Sequence, residues 1–303
     1  DKETVRAAVF DDTIKHRQGK GVSAVSSHYD HTIGRHVMGQ QVLEMGLATP
    51  KAYASLDSQI YIGDKKIQYG KKQLDDYRSA VGKDYTAARY QDKNQMLRHM
   101  LLRAIRAGIR FTHVIADSWF GNKENIKAVV SSKLTGIFRM KRGNLQYLLN
   151  GKRYTATELH ALIKRRMKKT KGTNYRTYTL NVHLDLSEKK KNPKLLPVRL
   201  LFSSSVRQHK ENWVVFLSTD THLSTEEILE TYALRWSIEV YFKEIKQHFG
   251  FLKEQTGDYA VHYASVHLSA IRFMLIAHNM LISGDSFGAV RSKITRQLEL
   301  LTF

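Results

Sequence analysis

Apolar and polar residues alternate along several short stretches of the chain, and this period of two predicts β-strands. The first predicted strand is residues 4–13, TVRAAVFDDT, where Asp11 is in phase with the apolar positions and Asp12 points to the opposite face. Residues 110–117, RFTHVIAD, repeat this pattern and end at Asp117. Both predicted strands therefore carry a carboxylate towards their carboxyl ends.

A period of three to four residues predicts helices elsewhere. Residues 92–108, DKNQMLRHMLLRAIRAG, follow this spacing and end on a glycine, which is typical of a helix C-cap. Because this helix leads straight into the strand that ends at Asp117, that carboxylate is expected where functional groups collect in α/β sheets. A second helix is predicted to begin at the capping box formed by Ser224 and Glu227 and to stop near Gly250.

Further strands are predicted before the first of these helices and between the two. Residues 39–49 predict a strand, and residues 58–70, SQIYIGDKKIQYG, predict a hairpin with its turn at Gly63 and Asp64. From 136 to 218 the predicted strands are GIFRMKR, LQYLLNGKRYT, YRTYTLNVHLDL, LLPVRLLFS and NWVVFLST. The run EKKKNPK at 188–194 is predicted to be an exposed hairpin tip.

The composition narrows the class of protein. The chain has 303 residues, 42% of them apolar, which is typical of a globular fold. It has no cysteine, which excludes disulfides and thiolate metal sites. Its net charge of +21 favours a polyanionic partner, and nucleic acid is the common one.

One apolar stretch, residues 260–282, is long enough to resemble a membrane span. It contains His262, His267, Arg272 and His278, and charged side chains are costly in the middle of a bilayer. We therefore predict a buried or docking helix and no membrane partner.

The most informative pattern is the spacing of Tyr232, Arg235, Glu239 and Lys246. On one continuous helix, offsets of 0, 3, 7 and 14 fall within roughly 60° of arc, so the four side chains are predicted to share a face. A carboxylate among cationic and hydrogen-bonding groups suits a metal ion that meets a phosphodiester. An ordinary amphipathic surface helix is the alternative interpretation.

These four residues resemble the YREK motif of bacterial insertion-sequence transposases of the DDE superfamily, position by position. The resemblance implies a ribonuclease-H-like α/β core, which is a mixed sheet flanked by helices. It also implies a β-rich insertion between the second Asp and the Glu-bearing helix. The expected boundaries are 1–135 and 221–303 for the two parts of the core and 136–220 for the insertion.

In this family the glutamate is the third member of an Asp-Asp-Glu metal-binding triad. The resemblance implies Asp11, Asp117 and Glu239 as catalytic metal ligands, with Asp12 as the alternative first ligand. The family's first motif resembles the DDT of residues 11–13, and SWFGNKENI after Asp117 resembles its second. Two Mg²⁺ ions, which Mn²⁺ can replace, are the implied cofactors.

The resemblance also implies residues that contact DNA. Tyr232, Arg235 and Lys246 are expected at the backbone near the cut, and Trp213 is expected to stack on a flipped base. A Trp213 packed in a strand core is the alternative. Trp236 is expected in the core.

Residues 139–176 contain twelve Lys or Arg and one acid, Glu158. We predict that this region, with Lys141 and Arg142 at its start, faces DNA through contacts that carry no sequence information. A solvated charge run is the alternative.

The implied function is metal-dependent cleavage at transposon ends and strand transfer into target DNA, by a cut-and-paste route. The expected partners are double-stranded DNA (transposon ends and target) and a second copy of the chain in a homodimeric synaptic complex, in the bacterial cytoplasm at the nucleoid. Two alternatives stay open. One is a ribonuclease-H-like nuclease or resolvase without strand transfer, and the other is a basic DNA-binding protein without enzymatic activity.

Overall fold

The computed structural model describes residues 4–18, 21–30, 33–63, 76–187, 194–207 and 212–301, and it has a mixed α/β fold. Of residues 298–301 only the backbone is described. The strands are β1 (Ala7–His16), β2 (Ser26–Asp30), β3 (Arg35–Ala48), β4 (Tyr53–Tyr61), β5 (His113–Ala116), β6 (Thr135–Met140), β7 (Gln146–Leu149), β8 (Lys152–Thr155), β9 (Lys168–Lys169), β10 (Tyr175–Asp185), β11 (Leu195–Ser205) and β12 (Trp213–Ser218). The helices are α1 (Ala80–Tyr90), α2 (Lys93–Arg106), α3 (Lys123–Ser131), α4 (Ala156–Ile163), α5 (Thr225–Ala233), α6 (Trp236–His248), α7 (Tyr259–Ser283) and α8 (Phe287–Leu301).

Capping side chains explain where several helices begin. Asp92 and Gln95 form a reciprocal capping box at the start of α2, within the helix predicted for residues 92–108. Ser224 and Glu227 form the predicted capping box, which starts α5. Helices α1, α3 and α4 were not predicted from the sequence, and α4 lies inside the region that was predicted to hold strands and basic turns.

The chain divides into two compact units, each built from two segments. The first unit comprises residues 1–9 and 110–235, and the second comprises residues 10–109 and 236–303. Both boundaries expected from the sequence, after residues 135 and 220, lie inside the first unit.

The first unit holds a mixed sheet in the order β1-β5-β6-β12-β11-β10-β7-β8, to which β1 contributes its first residues. Strands β5 and β6 are parallel and are joined through α3, as in a βαβ unit. From β6 to β8 the neighbours pair antiparallel, so the region is rich in strands as predicted. The turn between β7 and β8 is left-handed at Asn150 and Gly151, as their sequence predicts.

The second unit pairs β2 with β3, places β3 beside β1 and adds β4 to β3. The predicted hairpin of residues 58–70 begins in β4, but residues 64–75 lie outside the described part of the chain. The predicted tip at 188–194 also lies outside it, except for Lys194. A β-bulge between Met45 and Gly46 interrupts the β3–β4 pairing.

Helix α7 buries one side in the second unit and exposes the other. Its buried side includes His262, Val266 and Phe273, whereas Leu275 and Ile282 are more than half exposed. Among the described helices it alone is long and apolar enough to cross a membrane, by length and composition. About a third of its most apolar window is buried inside the fold.

Candidate active site

Asp11 and Asp12 both lie on β1, and hydrogen bonds distinguish them. Asp12 accepts from Lys93 Nζ at 2.5 Å and from Gln41 Nε2 at 2.9 Å. The side chains of this ion pair are 11% (Lys93) and 21% (Asp12) exposed, so the charge of Asp12 is compensated within the fold. The Asp11 carboxylate accepts the backbone N–H of Asp12 at 2.9 Å. Asp12 is therefore engaged in an ion pair, and Asp11 stays the predicted first metal ligand.

Asp117 directly follows β5 and opens a tight loop that ends at the N-cap of α3, Asn122. Its Oδ1 accepts the backbone N–H of Trp119 at 2.9 Å, and its carbonyl accepts the N–H of Phe120 at 3.2 Å. Phe120 is buried, and the buried Asn125 side chain donates to its carbonyl at 2.9 Å. The Asp117 carboxylate is therefore held in a fixed loop at the end of a parallel strand, as its sequence predicts.

The four motif residues do not lie on a single helix, and that prediction is wrong. The backbone N–H groups of Leu234 and Arg235 bond to carbonyls three residues earlier, which tightens and ends α5. Helix α6 then begins at Trp236. No Pro or Gly marks this break, so the sequence carries no signal for it. The motif is therefore split: Tyr232 lies in α5, Arg235 in the connecting turn, and Glu239 and Lys246 in α6.

Within α6, Glu239 occupies the first turn and Lys246 the last. Lys246 Nζ donates to the Ile14 carbonyl of β1 at 3.1 Å. Burial, followed by repulsion from Lys15, lowers the pKa of Lys246. Lys246 thus ties the helix that carries Glu239 to the strand that carries Asp11.

The Tyr232 ring packs against Phe216 of the same unit. Its centroid lies 4.7 Å from that of Phe216 in an edge-to-face arrangement, and Arg235 stands 6.0 Å from the Tyr232 ring. The two residues therefore form a phenol and guanidinium pair at the end of α5. Phosphate oxygens are suitable acceptors for both groups.

A buried carboxyl group behind α6 was missed by sequence reasoning. Glu44 of β3 is 1% exposed, and its two oxygens accept from Ser55 Oγ and Ser58 Oγ, each at 2.5 Å. Burial raises the pKa of Glu44 to about 8, so the group is protonated at neutral pH. Tyr241, two residues after Glu239, is also in contact with this network. The available signal was a glutamate inside the otherwise apolar run VLEMGLA at 42–48.

Aromatic neighbours of Tyr241 extend this network. Its ring lies 5.4 Å from Tyr53 and 5.0 Å from Phe273. Tyr53 in turn lies against Gly46, where an added Cβ would come within 2.3 Å of the tyrosine ring. The glycine at the bulge is therefore required for this packing, which fixes one side of α6.

Trp213 begins β12 and is 5% exposed, as in the alternative of a packed tryptophan. The His160 ring stacks on it at 4.2 Å and 9°, and the Arg142 guanidinium lies 4.3 Å from its centroid and donates to its carbonyl. Burial, then the nearby Arg142 and Lys164, lower the pKa of His160. A base can stack on Trp213 only if His160 or Arg142 moves away, and stacking there stays a prediction.

The region around Trp213 also contains a cavity of about 920 Å³. Its lining includes four cations, Arg142, Lys164, Arg165 and Arg176, which belong to the basic region identified in the sequence. Such a lining suits phosphate groups.

Two further tryptophans are exposed. Trp236, expected in the core, is 66% exposed, so that prediction is wrong. Helix α6 buries Ile238, Tyr241 and Ile245 instead, and Trp236 lies off that face. Trp119 is 46% exposed, and Lys141 Nζ lies 4.3 Å from its ring centroid. Trp119 was not singled out from the sequence.

The donor chemistry of Asp11, Asp117 and Glu239 fits Mg²⁺ or Mn²⁺, because these hard cations prefer carboxylate oxygens. Within the described ranges, however, no three His, Asp or Glu side chains are grouped so that they could hold a metal ion. The three-carboxylate metal site therefore stays a prediction.

Comparison with known proteins identifies the family. No curated protein matches the chain. A solved structure of the piggyBac transposase synaptic complex with hairpin DNA matches with a TM-score of 0.47 and 12% identity, over 94% of this chain and 51% of that one. The chain thus spans about half the length of that transposase. The family model described as "Transposase DDE domain" matches residues 74–274, about two thirds of the chain, including Asp117 and all four motif residues. The chain belongs to the transposase DDE domain family.

Proposed function

We propose that this chain is the catalytic part of a transposase that cuts DNA at the ends of an insertion sequence and joins them to target DNA. The observation that carries the proposal is the family match, which includes Asp117 on its fixed loop and Glu239 in the first turn of α6. The net charge of +21 supports a DNA partner. We also propose a homodimer in the synaptic complex and a cytoplasmic location at the bacterial nucleoid.

In this proposal Asp11, Asp117 and Glu239 hold two Mg²⁺ ions, which Mn²⁺ can replace, as the family resemblance implies. Bound there, the metal would supply an activated nucleophile and neutralise charge on the phosphodiester. The role of Asp12 is structural, since Lys93 compensates its charge. Lys246 and the Glu44 network hold α6, and with it Glu239, in position.

Basic and aromatic groups are assigned to the DNA. Tyr232 and Arg235 bind backbone phosphates near the cut, and Lys246 adds positive charge. In the first unit, Lys141, Arg142 and the cations of the cavity near Trp213 hold the backbone further along. Stacking of a flipped base on Trp213 requires the side chain of His160 or Arg142 to move away from the Trp213 ring.

The test uses a duplex that contains the DNA flanking the coding sequence of this chain, together with a target plasmid and Mg²⁺. Wild type is expected to cut the duplex and join its end to the plasmid. Asp117→Ala and Glu239→Gln are expected to bind the duplex as wild type does and to lose cleavage at least about 100-fold. Asp76→Ala, an exposed carboxylate on a loop, is the control and is expected to keep activity.

Each alternative function predicts its own result. Cleavage without joining would indicate a nuclease or resolvase. Binding without cleavage, equal for wild type and Asp117→Ala, would indicate a DNA-binding protein and would overturn the proposal.

A further inference from the structure

Trp119 is a large aromatic side chain left exposed beside a candidate catalytic carboxylate. It is 46% exposed, whereas the next residue, Phe120, is 1% exposed. Its backbone N–H lies 2.9 Å from Asp117 Oδ1. Because Trp119 lies only two residues after Asp117, a DNA strand whose phosphate is held at Asp117 is expected to pass near Trp119.

The loop that carries Trp119 is tightly packed, so the ring is presented from a fixed backbone. A Cβ added to Gly121 would lie 2.8 Å from the Arg139 carbonyl and 2.9 Å from Met140 Sδ, so the loop packs closely against β6. The Asn122 side chain accepts the N–H of Asn125 and caps α3. A ring on a fixed backbone loses little entropy when it binds a ligand.

A cation accompanies the ring. Lys141 directly follows β6, and its Nζ lies 4.3 Å from the Trp119 centroid. An aromatic face next to a cation is the combination with which proteins hold single-stranded nucleic acid, because the ring stacks on a base and the cation binds its phosphate. Trp213 differs: it is 5% exposed, with His160 and Arg142 against its ring.

We propose that Trp119 and Lys141 form a nucleotide platform, on which an unpaired base next to the cleaved phosphate stacks while Lys141 binds the adjoining phosphate. The proposal rests on the proposed function for the path of the DNA past Asp117. It assigns Trp119 as a DNA contact and makes it the first stacking surface available to a base, ahead of the covered Trp213.

The test is a binding measurement in EDTA, which requires no catalysis. Fluorescence anisotropy of a labelled oligothymidylate and of a matched duplex gives the affinity of each variant. Trp119→Ala is expected to weaken single-strand binding by roughly 5- to 150-fold, as the loss of one stacked base implies, and to leave duplex binding nearly unchanged. Trp119→Phe is expected to restore most of the single-strand affinity.

Lys141→Ala tests the second component of the platform. It is expected to weaken binding to both probes and to reduce the slope of log affinity against log salt by about one. Tyr90→Ala is the matched control, since Tyr90 is 64% exposed and lies 5.0 Å from the Arg89 guanidinium. It is expected to bind as wild type does.

Three results would overturn the platform: unchanged single-strand binding by Trp119→Ala, an equal loss on the duplex, or an equal loss in Tyr90→Ala. Melting temperatures of the variants verify that each is folded. Because no metal is present, this result is independent of whether the Asp117→Ala cleavage test succeeds or fails.

Discussion

Glu44→Gln removes the carboxyl group whose ionisation would place a negative charge in the buried network behind α6. In the fold Glu44 is 1% exposed and accepts from Ser55 and Ser58. Glutamine has nearly the shape of the protonated carboxyl group, and its amide can bond to both hydroxyls without taking up charge. The substitution therefore changes the proton equilibrium and little else.

The size of the effect follows from the pKa of Glu44, which burial raises from 4.5 to about 8. Between these values the folded protein keeps a proton that the unfolded chain releases, so stability falls as pH rises. Each pH unit costs about 1.4 kcal/mol, and the interval of about 8 minus 4.5, or roughly 3.5 units, amounts to about 5 kcal/mol at most. This contribution is fully present below about pH 4.5 and is lost above about pH 8.

The assay compares urea midpoints of wild type and Glu44→Gln from about pH 5 to about pH 9. The two proteins are expected to differ little at the acid end, and the variant is expected to become the more stable by several kcal/mol at the alkaline end. Glu230→Gln, an exposed position on α5, is the control and should follow wild type. A difference between wild type and Glu44→Gln that stays constant with pH would refute the buried, protonated carboxyl group.

Two further predictions concern stability. Lys93→Met leaves Asp12 without its cation in a mostly shielded position and is expected to cost about 2 kcal/mol in thermal or urea unfolding. Lys293→Met, which breaks the exposed pair with Asp285, should cost much less, and equal losses would contradict the assigned difference in burial. Ser224→Ala removes the N-cap of α5 and is expected to lower the free energy of unfolding by about 1 kcal/mol. Ser224→Asp should keep most of the stability of wild type, because aspartate also caps helices. An unchanged melting temperature in the alanine variant would count against the cap.

Local signals in the sequence were sufficient for much of the fold. The helix of residues 92–108 and the strand before Asp117 followed from hydrophobic period and capping, because these depend on neighbouring residues alone. The turn at Asn150 and Gly151 followed from the preference of these residues for left-handed backbone. The family followed from the spacing of four polar residues.

The predictions that were wrong or missing concern features that depend on contacts between residues distant in sequence. The break between α5 and α6, at Leu234 and Arg235, is formed by backbone hydrogen bonds to carbonyls three residues earlier, and no residue type marks it. Trp236 was expected in the core because tryptophan is apolar, but α6 buries a different face. The buried hydrogen bonds of Glu44 could not be inferred from its neighbours in sequence, since its partners Ser55 and Ser58 belong to the next strand. Pairings of this kind are set by tertiary structure.

The division of the chain into interleaved units has a consequence for its synthesis. The first unit needs residues 1–9 as well as 110–235, and the second needs residues 236–303 to join residues 10–109. On the ribosome neither unit is complete when its first segment emerges, and the second must wait until residues 236–303 have been made. Each unit is therefore held together by contacts between segments that are distant in sequence, which favours slow folding over rapid, independent folding of either half.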